Sequence, residues 1–278
     1  MKISVSAYSY QALLRRDDVK LSDIPGIAAS QGYEGIEFVD FQGELRPQLR
    51  ELKKACGDAG MPIVAFAAGG NLLEGALSEG VDQIKASLDL AAEMGAPVMR
   101  HDVAYDGGGK RTFAGVLPRL AEGCRATAEY GGTLGIKVVI ENHGRFLQES
   151  LRVEALYAAV NHPNFGLLVD IGNFLCADEA PELAVGRLAP FAAHVHAKDF
   201  FVRQGSVAGD QGWLETRAGN SLRGTVLGHG DVPLAQCLRV LHREGYNGYV
   251  TVEYEGMEDC LSAVEWCRKN LAALMPPE

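Results

Sequence analysis

Four side chains that can bind divalent metals each end a short apolar run in the second half of the chain: Glu141, Asp170, His196 and Glu253. Each run begins at a Gly or Pro, a pattern typical of a buried strand that starts where a helix has stopped. Three carboxylates and one imidazole form an oxygen-rich, hard ligand set. A lone Asp at a strand end is more often a helix N-cap, but four such residues on successive strands are not explained in that way. The set predicts one divalent metal ion, with Mn²⁺ favoured and Mg²⁺, Co²⁺ and Zn²⁺ as alternatives.

Side chains near these positions extend the predicted site. Because residues i and i+2 of a strand share a face, His143 and Lys198 point past the ligands toward the substrate. Their alternative is a salt bridge with a neighbouring carboxylate. His194 lies one layer deeper, where we expect a hydrogen-bonded core histidine. Glu37, on the second strand, is either a buried partner of Arg100 or a substrate contact. His101, at the end of the fourth strand, is also assigned to the substrate site.

The strands that carry these residues belong to a unit that recurs along the whole chain. A helix-like stretch, a Gly or Pro stop and a short apolar run repeat to give eight candidate strands: 2–7, 32–38, 60–66, 95–101, 135–141, 163–170, 190–196 and 245–253. Amphipathic stretches between them, such as 48–59, 81–93 and 113–130, predict helices.

Strand–helix alternation from end to end implies parallel strands joined by right-handed crossovers. Eight such units in 278 residues predict a (β/α)₈ TIM barrel, and a single domain over 1–278. The rival fold, an open doubly wound sheet, lacks its G-x-G-x-x-G turn after the first strand. In a barrel the C-terminal strand ends meet at one mouth, and neighbouring strands lie about 4.8 Å apart. Ligands on strands five to eight can therefore surround one ion.

Composition excludes several classes of protein. The chain is 47% hydrophobic and 22% charged, which is ordinary for a globular protein, and no apolar run approaches the roughly 20 residues of a membrane span. The net charge of −10 argues against a nucleic-acid partner. Six cysteines without metal-site spacing and a short polar N-terminus predict reduced thiols in the cytoplasm. The expected partner is a small-molecule substrate, and a homo-oligomer stays open.

One long connection, 200–231, leaves the strand that carries His196 and must start beside the metal ligands. It contains Trp213, whose flat face suits a sugar ring, and three arginines, of which Arg217 is assigned to substrate binding. Because loops of this length are commonly lids or binding loops, we expect it to cover the site. The alternative is a solvated surface loop whose arginines balance local acidic groups.

Four motifs in this order, ENHG (141–144), DIGN (170–173), HVHAKD (194–199) and VEYEG (252–256), resemble the sugar phosphate isomerase/epimerase family. This is the xylose isomerase-like TIM barrel group, which includes ketose 3-epimerases, pentulose-phosphate epimerases and inosose dehydratases. The resemblance implies that Glu141, Asp170, His196 and Glu253 hold the ion. It also implies that Glu141 and Glu253 form the acid/base pair on opposite faces of the substrate.

The chain departs from the family at two positions that bear on the substrate. Epimerases of free ketoses carry a His where this chain has Asn173, and many relatives carry a Glu where it has His229. His229 is therefore assigned to substrate binding.

The predicted function is a metal-dependent isomerase or epimerase of a sugar, keto-sugar or sugar phosphate, acting through an enediolate intermediate. The alternative is a metal-dependent lyase or dehydratase that eliminates a β-substituent from a keto-sugar or inosose, with His143, Lys198 or His229 as the acid. A non-catalytic sugar-binding protein and a DNA-repair endonuclease are weaker alternatives, the second because of the acidic charge.

Overall fold

Eight parallel strands close into a barrel in this structure, a computed structural model that describes residues 1–40, 43–104, 111–207 and 212–277. The barrel strands are β1 (Lys2–Ser6), β2 (Ile36–Asp40), β3 (Ile63–Ala68), β4 (Val98–His101), β5 (Lys137–Glu141), β6 (Phe165–Asp170), β7 (Ala192–Ala197) and β11 (Tyr249–Val252). Barrel strands that follow one another in the sequence pair with each other, and the last strand, β11, pairs with β1 and closes the ring. The predicted TIM barrel is confirmed.

Helices cover the outside of the barrel and alternate with its strands. They are α1 (Gln11–Leu14), α2 (Ile24–Ser30), α3 (Leu49–Asp58), α4 (Leu77–Met94), α5 (Phe113–Thr133), α6 (Ser150–Val160), α7 (Pro181–Leu188), α8 (Leu234–Arg243) and α9 (Cys260–Leu274). The three helices named from the sequence correspond to α3, α4 and α5. In the part of the chain that the structure describes, none of the helices is long and apolar enough to cross a bilayer.

Close helix–strand packing holds β5, one of the ligand strands, in place. Gly131 on α5 lies directly against the Val138 side chain, where even a Cβ atom would overlap it. Val138 and Ile140 are fully buried in this layer. The missing side chain at Gly131 therefore lets α5 approach the strand that ends in Glu141.

The long connection after β7 is not the irregular loop that the sequence predicts. It forms a small antiparallel sheet of β8 (Asp199–Arg203), β10 (Ser221–Thr225) and β9 (Leu214–Glu215), in that order; residues 208–211 lie outside the described residues. Asp199 anchors the return of the chain, because its carboxylate accepts bonds from four backbone N–H groups, two of them in the turn at 228–230. Gly230 packs so tightly against this carboxylate that a Cβ atom would not fit.

Candidate active site

The four predicted metal ligands converge at the C-terminal mouth of the barrel. Glu141 and Asp170 are the last residues of β5 and β6, His196 lies near the end of β7, and Glu253 directly follows β11. One ligand atom from each lies within 4.8 Å of the others. Asp170 and His196 are direct neighbours in the strand register. The barrel therefore brings four donors from four strands to one point.

The donors fit a divalent cation. Asp170 Oδ2 and His196 Nδ1 are buried and have no hydrogen-bond partner among the described residues. Buried polar atoms are almost always hydrogen-bonded, so two lone-pair atoms without a hydrogen bond in the same cluster are typical of an ion site; Lys198 Nζ lies 3.5 Å from Asp170 Oδ2 as an ion-pair partner. Burial raises the pKa of Asp170 to about 7, and the charges of Glu141 and Glu253 add to this against the opposing effect of Lys198. A cation at this point would relieve the repulsion among the three carboxylates.

Two buried cations hold the glutamates. Arg100 Nη2 lies 2.6 Å from Glu141 Oε2 and 2.7 Å from Asp102 Oδ1. Lys198 Nζ lies 2.5 Å from Glu253 Oε2. Although burial opposes it, the charges of Lys198 and His196 lower the pKa of Glu253 well below its usual range. Each glutamate therefore has a buried positive partner within 2.6 Å.

Glu37 positions the imidazole ligand from beneath. Its carboxylate is fully buried, and Oε2 lies 3.0 Å from His196 Nε2 and 3.2 Å from His194 Nε2. Burial opposes ionisation, yet His196 and His194 lower the pKa of Glu37 to about 2. The bond fixes the proton on His196 Nε2 and leaves Nδ1 for the ion. Of the two alternatives for Glu37, the structure supports the buried one, although its hydrogen-bond and ion-pair partners are these histidines and its charge only adds to those that act on Arg100. Glu37 does not line the cavity above the ligands.

His194 behaves as the core histidine that the strand spacing indicates. Its Nε2 lies 2.9 Å from Thr251 Oγ1, and the ring is buried. It serves the site only through the carboxylate that it shares with His196.

A cavity of about 340 Å³, which we call the chamber, lies directly above the ligand cluster. Its lining residues are Tyr8, Val39, Ala67, Arg100, Glu141, His143, His196, Lys198, Glu253 and Glu255. The structure therefore puts His143 and Lys198 where the strand periodicity predicts. His143 Nδ1 is bonded to Asp102 Oδ1 at 2.8 Å, so this carboxylate orients the ring.

Asn173 links the two halves of the site. Its Nδ2 donates to Glu141 Oε1 at 2.9 Å, and its Oδ1 accepts a bond from Lys198 Nζ at 3.3 Å. The preceding Gly172 packs on the Lys198 backbone, where a Cβ atom would lie 2.8 Å from the carbonyl oxygen. The turn after β6 can therefore reach the ligands only with glycine at this position.

A larger cavity of about 560 Å³, which we call the vestibule, opens outward from the chamber. The two share Tyr8, His143, Lys198 and Glu255 in their walls. The vestibule is further bounded by the connections after β1 and β5 and by the edge of the small antiparallel sheet.

Among the sequence assignments, His101 is wrong. It is fully buried between β4 and α5, where Nε2 lies 3.2 Å from Thr127 Oγ1 and Nδ1 lies 2.8 Å from the Asp102 carbonyl oxygen. Burial lowers the pKa of His101 to about 4. Adjacent strand residues face opposite sides, so Arg100 takes the inward position and His101 the outward one.

Three further assignments do not reach the chamber or the vestibule. Arg217 pairs with Glu149 and donates to the Arg145 carbonyl oxygen at 2.7 Å. Trp213 is half-buried beside the Arg223 guanidinium, which lies 5.0 Å from its ring centroid. His229 is exposed in the turn that Asp199 anchors. Trp213, Arg217 and His229 are therefore corrected to structural or surface positions, and the sheet meets the vestibule through Phe200, Leu214 and Glu215 instead.

Sequence reasoning gave no site role to Tyr8, Asp102 or Glu255, and considered Arg100 only as a buried partner. Arg100 could have been found from the sequence if the register of β4 were known, because side chains alternate along a strand and the register then puts Arg100 on the inward face. Tyr8 lies just after β1, in a 3-10 turn that no periodicity marks.

Comparison with known proteins agrees with this architecture. The chain is 27% identical to an inosose dehydratase of Bacillus licheniformis over 149 residues, which cover 53% of this chain and about half of that protein. A 3-keto-D-glucoside 4-epimerase from E. coli superposes with a TM-score of 0.74 at 16% identity, covering 98% of this chain and 99% of that one. A xylose isomerase-like barrel from Mycobacterium smegmatis in complex with magnesium superposes with a TM-score of 0.71 at 16% identity, over 99% and 98%. The sequence pattern of one family matches residues 26–275, and the chain belongs to that family, the xylose isomerase-like TIM barrels.

Proposed function

We propose that the chain is a metal-dependent isomerase or epimerase that moves a proton beside the carbonyl group of a sugar, keto-sugar or sugar phosphate. The observation that carries the proposal is the pair Glu141 and Glu253, which line one chamber from different strands and belong to one ligand cluster with Asp170 and His196. The chamber volume of about 340 Å³ is within the range of small-molecule sites. The likeness to a keto-glycoside epimerase is consistent with this class of reaction.

The two glutamates are suited to proton transfer at carbon. Each is held by its own cation, Arg100 for Glu141 and Lys198 for Glu253, so each can start as a carboxylate base. One removes the proton next to the carbonyl, and the other returns a proton to the same or the opposite face. An ion held by the four ligands would supply the positive charge that stabilises the enediolate. We propose Mn²⁺ first, with Mg²⁺, Co²⁺ and Zn²⁺ as alternatives.

The other chamber residues orient the substrate in this proposal. Lys198 offers a donor to substrate oxygens at the chamber wall and is held there by its bond to Asn173, which lines the vestibule. His143 offers a ring held by Asp102 at the boundary between the chamber and the vestibule.

A second candidate is a lyase or dehydratase that expels a β-substituent after the same proton abstraction. The specific observation in its favour is His143, because its Asp102-bound ring lies where a leaving group would pass from the chamber into the vestibule. The likeness to an inosose dehydratase supports the same alternative.

Incubation in deuterated water tests the proposal. The Mn²⁺-loaded protein is given a panel of ketoses, keto-glycosides and inososes, and we expect solvent deuterium on the carbon beside the carbonyl. Deuterated epimer or isomer supports the first candidate, whereas an unsaturated ketone, detected by its ultraviolet absorbance, supports the second. Glu129→Gln, on the exposed face of α5, is the matched control for Gln at either catalytic position. Absence of deuterium from every compound would contradict both candidates.

A further inference from the structure

We infer that the substrate carries an anionic group, a phosphate or a carboxylate, beyond its reacting ring, and that Arg15 and Arg145 bind this group in the vestibule. The inference rests on the proposed function and narrows its substrate class.

The two cavities form one path. The chamber lies at the lower end of the roughly 300–1,000 Å³ that small-molecule sites occupy, so it suits one sugar ring. The vestibule adds about 560 Å³ and shares four wall residues with the chamber. A ligand whose reacting carbon is above Glu141 and Glu253 can therefore extend outward past Tyr8 and His143. A free monosaccharide would leave the vestibule to water.

The charged side chains of the vestibule indicate which chemical group of the ligand would lie there. Arg15 directly follows α1, and Arg145 lies in the turn between β5 and α6; both line the vestibule and are exposed. In the described part of the chain neither guanidinium has a carboxylate partner. Arg217, by contrast, is already paired with Glu149. Two guanidiniums without carboxylate partners in one cavity of an acidic protein favour a bound anion, because the arginine fork matches the oxygens of phosphate and carboxylate.

The acidic side chains of the vestibule do not cancel this preference. Glu255 Oε1 lies 3.4 Å from Lys198 Nζ, which it shares with Glu253, so this carboxylate is held at the boundary with the chamber. Glu215 lies on β9 at the exposed rim. Arg15 and Arg145 therefore line the vestibule from connections that follow β1 and β5, two strands on opposite sides of the barrel, and the anion site lies between them rather than at the arginines of the small sheet.

The turn that carries Arg145 is also held in place from outside. The carbonyl oxygen of Arg145 accepts a hydrogen bond from Arg217 Nη2. Arg217 thus braces the vestibule without entering it, and is a positioning residue rather than a ligand.

Matched hydroxamates provide the test, because the hydroxamate group mimics the two oxygens of an enediolate. Calorimetry on the Mn²⁺-loaded protein compares D-arabinonohydroxamate with its 5-phospho and 5-carboxylate derivatives. We expect at least one anionic derivative to bind roughly tenfold or more tightly than the neutral compound, as is typical of charged hydrogen bonds. The larger of the two gains identifies phosphate or carboxylate as the natural group.

Two alanine variants test whether the gain in affinity for the anionic hydroxamates arises in the vestibule. Arg15→Ala and Arg145→Ala should each remove most of it and leave binding of the neutral hydroxamate unchanged. Arg16→Ala is the matched control, since Arg16 pairs with Asp18 outside the vestibule. Equal affinities for the three hydroxamates, or a gain that survives both variants, would overturn the inference. If the neutral hydroxamate does not bind at all, the proposed function fails; anion-dependent binding that still needs Arg15 and Arg145 would then support the vestibule site independently.

Discussion

The carboxylate beneath His196 offers a sharp test of how the site is built. Glu37→Gln keeps the size of the side chain but removes the charge that two imidazoles share. In the parent protein, Glu37 Oε2 is bonded to His196 Nε2 at 3.0 Å and lies 3.2 Å from His194 Nε2. A glutamine oxygen in that position could still accept from both rings, but it carries no charge, and the amide can instead turn its donor NH₂ toward them. If the NH₂ faces His196, the ring proton moves to Nδ1 and blocks the lone pair aimed at the ion.

Loss of such an outer carboxylate typically weakens metal binding 10–100-fold, which is about 1.4–2.7 kcal/mol. We expect this loss for Glu37→Gln in a Mn²⁺ titration followed by electron paramagnetic resonance, with the far-ultraviolet circular dichroism unchanged. Glu129→Gln makes the same chemical change on the exposed face of α5 and should bind Mn²⁺ normally. A Glu37→Gln variant whose Mn²⁺ dissociation constant stays within twofold of the parent protein would refute a positioning role.

Three further predictions concern catalysis and stability. Glu141→Gln and Glu253→Gln should each lower turnover by more than roughly 100-fold in the deuterium assay, since each alters proton transfer and the charge at the ion; near-normal turnover with metal bound would exclude that residue as a base. Arg100→Met should cost roughly 3–5 kcal/mol in urea unfolding, because it leaves two buried carboxylates without their cation; a loss below 1 kcal/mol would contradict the ion-pair account. The pKa of His101 is about 4 in the folded protein and 6.5 in an unfolded chain. As the pH falls from 6.5 to 4, the unfolded chain therefore binds the proton first, and the free energy of unfolding decreases by about 3 kcal/mol. His101→Gln should flatten that slope, and an unchanged slope would show that other groups cause it.

The barrel could be predicted from sequence because its causes are local and repeated. Apolar runs with Gly or Pro stops recur eight times, and parallel strands with crossovers then allow few topologies. The convergence of Glu141, Asp170, His196 and Glu253 follows from the same rule, because strand ends in a barrel share one mouth.

Contacts between distant segments could not be predicted in this way. Arg100 and His101 are neighbours in sequence, and only the register of β4 decides which one faces inward. The sheet within 200–231 depends on antiparallel pairing across a long connection, which no local period marks. Arg15 and Arg145 lie on connections that follow different strands, and only the closed barrel brings them to one cavity.

The central claim is that the four strand-end side chains hold one divalent ion. Crystals soaked in Mn²⁺ and measured near the manganese absorption edge test it directly, because anomalous scattering locates the ion without assumptions about the ligands. We predict a single strong peak about 2.0–2.4 Å from Glu141, Asp170, His196 Nδ1 and Glu253. Absence of a peak among these side chains at saturating Mn²⁺, or a peak at Glu37 and His194 instead, would contradict it.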